Sequence, residues 1–185
     1  MKQKALFLDR DGTLNIDFDF VHTSDEWEWI PGVREKLVEY KKAGYLLIVI
    51  TNQSGIARGR FTQEQVDDLH HWVNARLYET HGIKIDAFYV APWHPNFHDG
   101  KSSLLLNERK PATGLFHKAA DAFQINFEWS VMAGDKQTDL LPALELGINP
   151  FLVKSRFFDD ELAQWASQYH IPILESIHYL PKPEL

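Results

Sequence analysis

Short apolar runs alternate with longer amphipathic stretches along the whole chain, and the two kinds of segment carry different periods. Ala5 to Leu8, Leu46 to Ile50, Ile85 to Val90, Ser130 to Ala133, Phe151 to Val153 and Pro172 to Leu174 are short and nearly continuous, as strands buried on both faces are. Between them lie helical patterns. One runs from Val33 to Ala43, after Pro31-Gly32 and closed by Gly44, a residue suited to the left-handed position past a helix end. The next begins at Thr62, which has capping-box spacing with Gln65, and Val66, Leu69, Val73 and Leu77 recur at helical intervals up to Gly82. Further helices are predicted over roughly Gly114 to Phe123, Asp139 to Leu146 and Asp160 to Tyr169.

Strand and helix in alternation predict an α/β fold, a Rossmann-like doubly wound parallel sheet with helices on both faces. No internal repeat, low-complexity tract or Gly/Ser-rich linker interrupts the pattern, so residues 1–185 are read as a single domain. The stretch between Thr13 and Pro31 is too short to insert a large cap, and the polar loop from Pro92 to Pro111 is of modest length.

Composition removes several function classes. A hydrophobic fraction of 44% suits a water-soluble globular chain. No run approaches the ~18 apolar residues of a membrane span, and the four-residue apolar run before Asp9 reads as a strand rather than a signal peptide. With no cysteine there is no disulfide, thiolate zinc site or cysteine nucleophile, and a cytoplasmic location is the default. A net charge of −7 without a basic block argues against nucleic-acid partners. No membrane association is expected, and the chain is expected to be a monomer or small homo-oligomer.

Parallel sheets bind ligands beyond the carboxyl ends of their strands, so the residues just after each apolar run carry the information. Asp9-Arg10-Asp11-Gly12-Thr13 follows the first, Thr51-Asn52-Gln53-Ser54-Gly55 the second and Gly134-Asp135-Lys136-Gln137-Thr138-Asp139 the fourth, while Arg109-Lys110-Pro111 precedes a helix. The fold would bring Asp9, Asp11, Asp135 and Asp139 to one sheet edge, beside Thr51 and Lys110. Carboxylates so close resist ionisation unless a cation sits among them, and an oxygen-only donor set suits Mg²⁺. A lysine ammonium and a threonine hydroxyl are what a transferring phosphoryl group needs for neutralisation and positioning. Neither a P-loop nor a Gly-x-Gly-x-x-Gly turn is present.

These segments, taken together from Phe7 to Asn15, Thr51 to Gly55, Arg109 to Pro111 and Gly134-Asp135, resemble the haloacid dehalogenase superfamily. Within it they are most similar to the D,D-heptose 1,7-bisphosphate phosphatase and histidinol-phosphatase group, over about residues 4 to 155. The resemblance implies that Asp9 is a nucleophile that becomes phosphorylated and that Asp11 is the general acid and then base. It implies Mg²⁺ on Asp9, the Asp11 backbone carbonyl and Asp135, with Asp139 behind them, and phosphate held by Thr51, Asn52 and Lys110. Asp17, Phe20, Ser54, Arg109 and Lys136 match substrate-contacting positions, Gln53 is taken with its loop, and Arg58 is a candidate cationic contact ahead of Arg60. The implied reaction is hydrolysis of a sugar phosphate, heptose 1,7-bisphosphate first and histidinol phosphate second.

One departure stands out. The zinc loop of three cysteines and one histidine typical of that group falls on Ala91, Trp93, Leu106 and Glu108, so no zinc is expected. The loop would then be held by packing of Trp93, Phe97 and Leu104 to Leu106, or be mobile. His94 and His98, four residues apart in this loop, are read as non-ligating, and His70 and His71 as solvent-exposed or packed on a helix surface. Asp139 has a plainer reading as the N-cap of its helix, and most tryptophans one as core or helix packing. Two competing functions are an aspartyl-phosphate signalling module, disfavoured by the acid/base group at Asp11, and a non-catalytic phosphate-binding protein.

Overall fold

The computed structural model describes residues 2–97 and 106–183. Its sheet has six strands, all parallel, in the order β3-β2-β1-β4-β5-β6. They are β1 (Lys4–Leu8), β2 (Tyr45–Asn52), β3 (Ala87–Ala91), β4 (Val131–Gly134), β5 (Asn149–Val153) and β6 (Ile173–Leu174). The helices are α1 (Val33–Lys42), the single turn α2 (Ser54–Ala57), α3 (Gln63–His81), α4 (Gly114–Phe123), α5 (Gln137–Leu146) and α6 (Asp160–Gln168). Every apolar run becomes a strand, because a strand central in a parallel sheet must be apolar on both sides.

Alternation along β1 divides the core in two. Leu6 and Leu8 join α1 and α3 residues such as Leu37, Val73 and Leu77 on one face, while Ala5 and Phe7 meet Phe116, Leu140 and Ala166 of α4, α5 and α6 on the other. The two halves sandwich the sheet, whose central strands β1 and β4 are buried except at Lys4, and this fixes the backbone that leaves their carboxyl ends. The Thr62 capping box forms as expected: Thr62 Oγ1 accepts from the Gln65 amide at 3.2 Å and Gln65 Oε1 from the Thr62 amide at 2.9 Å.

Two expectations change. Asp139 does not cap α5; the helix starts at Gln137, and Asp139 lies inside its first turn with its carboxylate accepting the Lys136 amide at 2.9 Å. Trp129 is 56% exposed rather than packed, since it closes a 3₁₀ turn, Phe127–Trp129, at the amino-terminal side of β4.

Candidate active site

Asp9 extends β1: its amide donates to Ala133 O at 3.0 Å, as the next rung of the β1–β4 ladder. Asp135 leaves β4 directly beside it. Two glycines make the approach close enough. A Cβ on Gly12, whose φ is +86°, would lie 2.9 Å from Asp135 Cγ, and one on Gly134 would lie 2.8 Å from Asp139 Cγ; both are inside van der Waals contact. Asp9, Asp135 and Asp139, all buried, consequently each bring a carboxylate oxygen within 4.8 Å of the others'.

Lys110 sits under this trio, 2% exposed. Its ammonium donates to Asp9 Oδ1 at 2.6 Å and Ile50 O at 2.5 Å, and lies 2.8 Å from Asp139 Oδ1. Asn52 holds the Lys110 backbone with both ends of its amide, donating to Lys110 O and accepting from Lys110 N at 3.0 Å each. Lys136 adds a second ammonium 3.1 Å from Asp135.

The three carboxyls respond differently to one environment. Burial pushes Asp9 up, but Lys110 and Lys136 more than offset it, so Asp9 stays below the ordinary carboxylate range. Burial also pushes Asp135 up, and here the Asp139 and Asp9 carboxylates add to it, bringing it to about 8. Asp139 is raised by burial and then by Asp9, against Lys110. On Lys110, burial is outweighed by Asp139 and Asp9, which hold it protonated. Three acids facing two ammonium groups leave an excess of buried negative charge with oxygen donors only, which fits a hard divalent cation.

The Asp11 carboxylate is held by neighbouring side chains. Arg10, fully buried, approaches it through Nη2 at 2.8 Å and Nε at 3.1 Å; Asn15 donates at 3.0 Å and Gln53 at 2.8 Å. Gln53 also donates to Thr51 Oγ1 at 2.8 Å, linking the loops after β1 and β2. Over this floor opens a cavity of about 250 Å³ whose lining includes Asp9, Asp11, Asp17, Phe20, Thr51, Asn52, Gln53, Ser54, Arg109, Lys136 and Asp139. All of the sequence-derived site residues except Arg58 thus converge on one cavity, with Lys110 and Asp135 buried beneath it.

The rim is built by other means. Arg60 lies 4.1 Å over the Phe20 ring. Asp19 and Phe20, successive non-glycine residues, have φ of 65° and 58°, in a left-handed conformation that costs an L-residue roughly 1–2 kcal/mol. Arg156, after β5, donates to both carboxylate oxygens of Asp19 and, at 3.3 Å, to Asp17 Oδ1.

A cavity at a parallel sheet's carboxyl edge, floored by three aspartates and a lysine from three chain segments, invites comparison with known proteins. The polynucleotide kinase 3 phosphatase family model matches residues 4–140 and the HAD-hydrolase-like model residues 107–179. A D-glycero-beta-D-manno-heptose-1,7-bisphosphate 7-phosphatase of Haemophilus ducreyi is 43% identical over 148 residues, 80% of this chain and 81% of its own. Its counterpart from Photorhabdus laumondii is 37% identical over 96% of this chain and 93% of its own. The chain belongs to the haloacid dehalogenase phosphatases. Among solved structures, a D,D-heptose 1,7-bisphosphate phosphatase from B. bronchiseptica, complexed with magnesium and phosphate, superposes with a TM-score of 0.79 at 28% identity, covering 95% of this chain and 94% of that one.

In this haloacid dehalogenase phosphatase the loop that follows β3 is held by several contacts. Ala91 is buried at the strand end and Glu108 pairs with Lys118, while the Trp93 carbonyl accepts from Arg109 Nη1 at 3.2 Å. Phe97 lies 4.1 Å from the Arg58 guanidinium, so its expected packing is onto a cation; Leu106 is 51% exposed rather than packed. His98, Leu104 and Leu105 fall outside the described residues. Arg58 is spent on this loop, reaching His94 at 3.5 Å, and is not among the cavity's lining residues.

Three participants escaped the sequence reading. Asp19 and Thr138 line the cavity, and Arg156 braces it; a search after β5, by the same carboxyl-end rule, would have found Arg156. Of the two readings of His70, exposed or packed on the helix surface, the packed one holds: it is buried, stacked on Phe88 at 4.1 Å and 3.3 Å from Arg10 Nη1. Burial first, then the Arg10 charge, pushes His70 down to about 3, so its neutral ring accepts from the guanidinium that holds Asp11.

Proposed function

We propose that this phosphatase removes the 7-phosphate of D-glycero-β-D-manno-heptose 1,7-bisphosphate through an aspartyl-phosphate on Asp9. The observation that carries the substrate is the 43% identity over four-fifths of both chains to a phosphatase of that name; the carboxylate–ammonium floor supports the chemistry. Asp9 is ionised and aimed at the cavity. Its oxygen attacks phosphorus, the bond from phosphorus to the sugar oxygen breaks, and Asp11 gives that oxygen a proton. Asp11 then takes a proton from water as the water oxygen displaces Asp9, releasing inorganic phosphate. The hydrogen bonds from Arg10, Asn15 and Gln53 hold Asp11 for both transfers.

Lys110 neutralises charge on the phosphoryl oxygens from below, with Asn52 fixing its backbone, and Thr51 positions those oxygens from the β2 side. Asp9, Asp135 and the Asp11 backbone carbonyl would hold Mg²⁺, with Asp139 behind them. When bound, the ion supplies charge neutralisation at the phosphoryl group. Asp17, Phe20, Ser54, Arg109 and Lys136 contact the rest of the substrate; Arg109 and Lys136 match its remaining anionic charge. No zinc takes part in this reading, because the four loop positions offer no thiol or imidazole.

Phosphate release in Mg²⁺ should be measured on heptose 1,7-bisphosphate, histidinol phosphate and a 3′-phosphorylated oligonucleotide, the last chosen for the wider family's name. Heptose bisphosphate is expected to lead in kcat/KM by about a hundredfold or more, a margin of about 2.7 kcal/mol, and Asp9→Asn to abolish its turnover. Equal or better turnover of another substrate overturns the substrate assignment, and unimpaired Asp9→Asn overturns the nucleophile.

A further inference from the structure

We infer that Arg156 is a positioning residue that clasps the loop from Asp17 to Phe20 in the strained shape that presents Asp17 and Phe20 to the substrate. The inference rests on the proposed reading of those two residues as substrate contacts. Two adjacent L-residues in the left-handed region do not stay there unaided. Two local bonds help, from the Asp19 amide to Asp17 Oδ1 at 2.9 Å and between His22 Nδ1 and Phe20 O at 2.8 Å. The remaining support comes from far along the chain.

Arg156 supplies a planar fork. Nη1 donates to Asp19 Oδ2 at 3.1 Å, Nη2 to Asp19 Oδ1, and Nη2 again to Asp17 Oδ1 at 3.3 Å. The fork is itself oriented, since its guanidinium carbon lies 4.7 Å over the Phe157 ring, whose centroid is also 4.6 Å from the Lys136 ammonium. Asp17, Asp19, Phe20 and Lys136 line the cavity, whereas Arg156 does not. Arg156 therefore acts on substrate through the loop it holds. A bidentate, stacked guanidinium cannot be replaced by an ammonium, so lysine should fail at this position.

The loop should respond to two different remedies. Removing the clasp frees Asp19 to leave the left-handed region; placing glycine at position 19 makes that region accessible without a clasp. Arg156→Ala, Arg156→Lys, Asp19→Gly and Arg156→Ala/Asp19→Gly should be compared with the parent by hydrogen exchange of the segment 17–21 and by steady-state kinetics. For Arg156→Ala and Arg156→Lys, faster exchange and a KM for heptose bisphosphate about tenfold higher are expected, about 1.4 kcal/mol, with kcat within about twofold. Adding Asp19→Gly to Arg156→Ala should bring KM back to within about threefold of the parent, and a small aryl phosphate, which lacks the remote part, should show no KM change in any variant. Unchanged exchange and KM in Arg156→Ala, or no recovery in the double variant, overturns the clasp. If the parent releases no phosphate from any substrate, the functional reading falls, and hydrogen exchange alone still decides the clasp.

Discussion

The floor and the rim of the cavity are both charged, yet they are held by opposite physics. On the floor, Asp9, Lys110, Asp135 and Asp139 are buried at the ends of central strands and at the start of a helix, where ionic contacts are little screened and an unpaired charge is costly. On the rim, Arg156 and Asp19 pair in solvent, and Arg60 stacks on Phe20 at 4.1 Å, contacts of the kind worth about 1 kcal/mol or less each. The enclosed sheet thus fixes the floor, while the rim rests on several weak, salt-sensitive contacts. On the proposed function, chemistry and specificity should be separable for that reason.

The largest effect that tests this division is expected from Lys110→Met. It leaves Asp9 and Asp139 facing each other without their shared ammonium, and breaking such a buried set costs about 3–5 kcal/mol. Urea unfolding should register that loss, and phosphate release should fall by at least about 10³-fold. A cost below about 1 kcal/mol, the ceiling for an exposed pair, would erase the distinction between floor and rim.

Acidity sharpens it further. Without a cation, Asp135 keeps its proton to about pH 8 when folded, against 3.8 as an ordinary carboxyl. The folded state therefore binds more protons than the unfolded one between these values, and its stability falls as pH rises. His70 works in the other direction: pushed down to about 3 from 6.5, it contributes stability that is complete above pH 6.5 and lost as pH falls toward 3. The two effects oppose below pH 6.5, so the interval from 6.5 to 8 isolates the carboxyls, and in chelator the protein should lose roughly 2 kcal/mol across it. Mg²⁺ should flatten the slope by taking the proton's place. Melting curves at several pH values with chelator or Mg²⁺ check this; a flat profile in chelator would mean that Asp135 is already ionised and the cluster less buried than its geometry indicates.

The floor was legible in the sequence and much of the rim was not. Asp9, Thr51, Lys110 and Asp135 each follow an apolar run or precede a helix, so the carboxyl-edge rule alone placed them together, and the family resemblance supplied their roles. Asp139 was ambiguous because a helix cap and a buried acid use the same residue type; only the start of α5 at Gln137 separates the two. His70 could be read as exposed or packed because it lies next to His71 on a helix of mixed polarity, and what buries it is Phe88 on β3 and Arg10 on the loop after β1. The carboxyl-end rule applied after β5 reaches Arg156, but its partner Asp19 lies 137 residues away, and no local pattern announces that pairing. Contacts between loops arise from where the sheet sends each chain end, which periodicity does not encode.

The smallest effect belongs to Arg60. Its guanidinium carbon sits 4.1 Å over Phe20, and that ring is also 6.0 Å from Arg58, so one cation can partly stand in for the other. Arg60→Ala is therefore expected to raise KM for heptose bisphosphate only about two- to fivefold, in line with ~0.5–1 kcal/mol for an exposed cation–π contact, and to leave kcat and melting temperature unchanged. Since the contact is partly electrostatic and exposed, the gap between parent and variant should narrow as salt is raised from 0.05 to about 0.5 M. A change in kcat instead would mean that Phe20 governs the reacting phosphate as well as the remote end, and the rim would then belong to the catalytic floor.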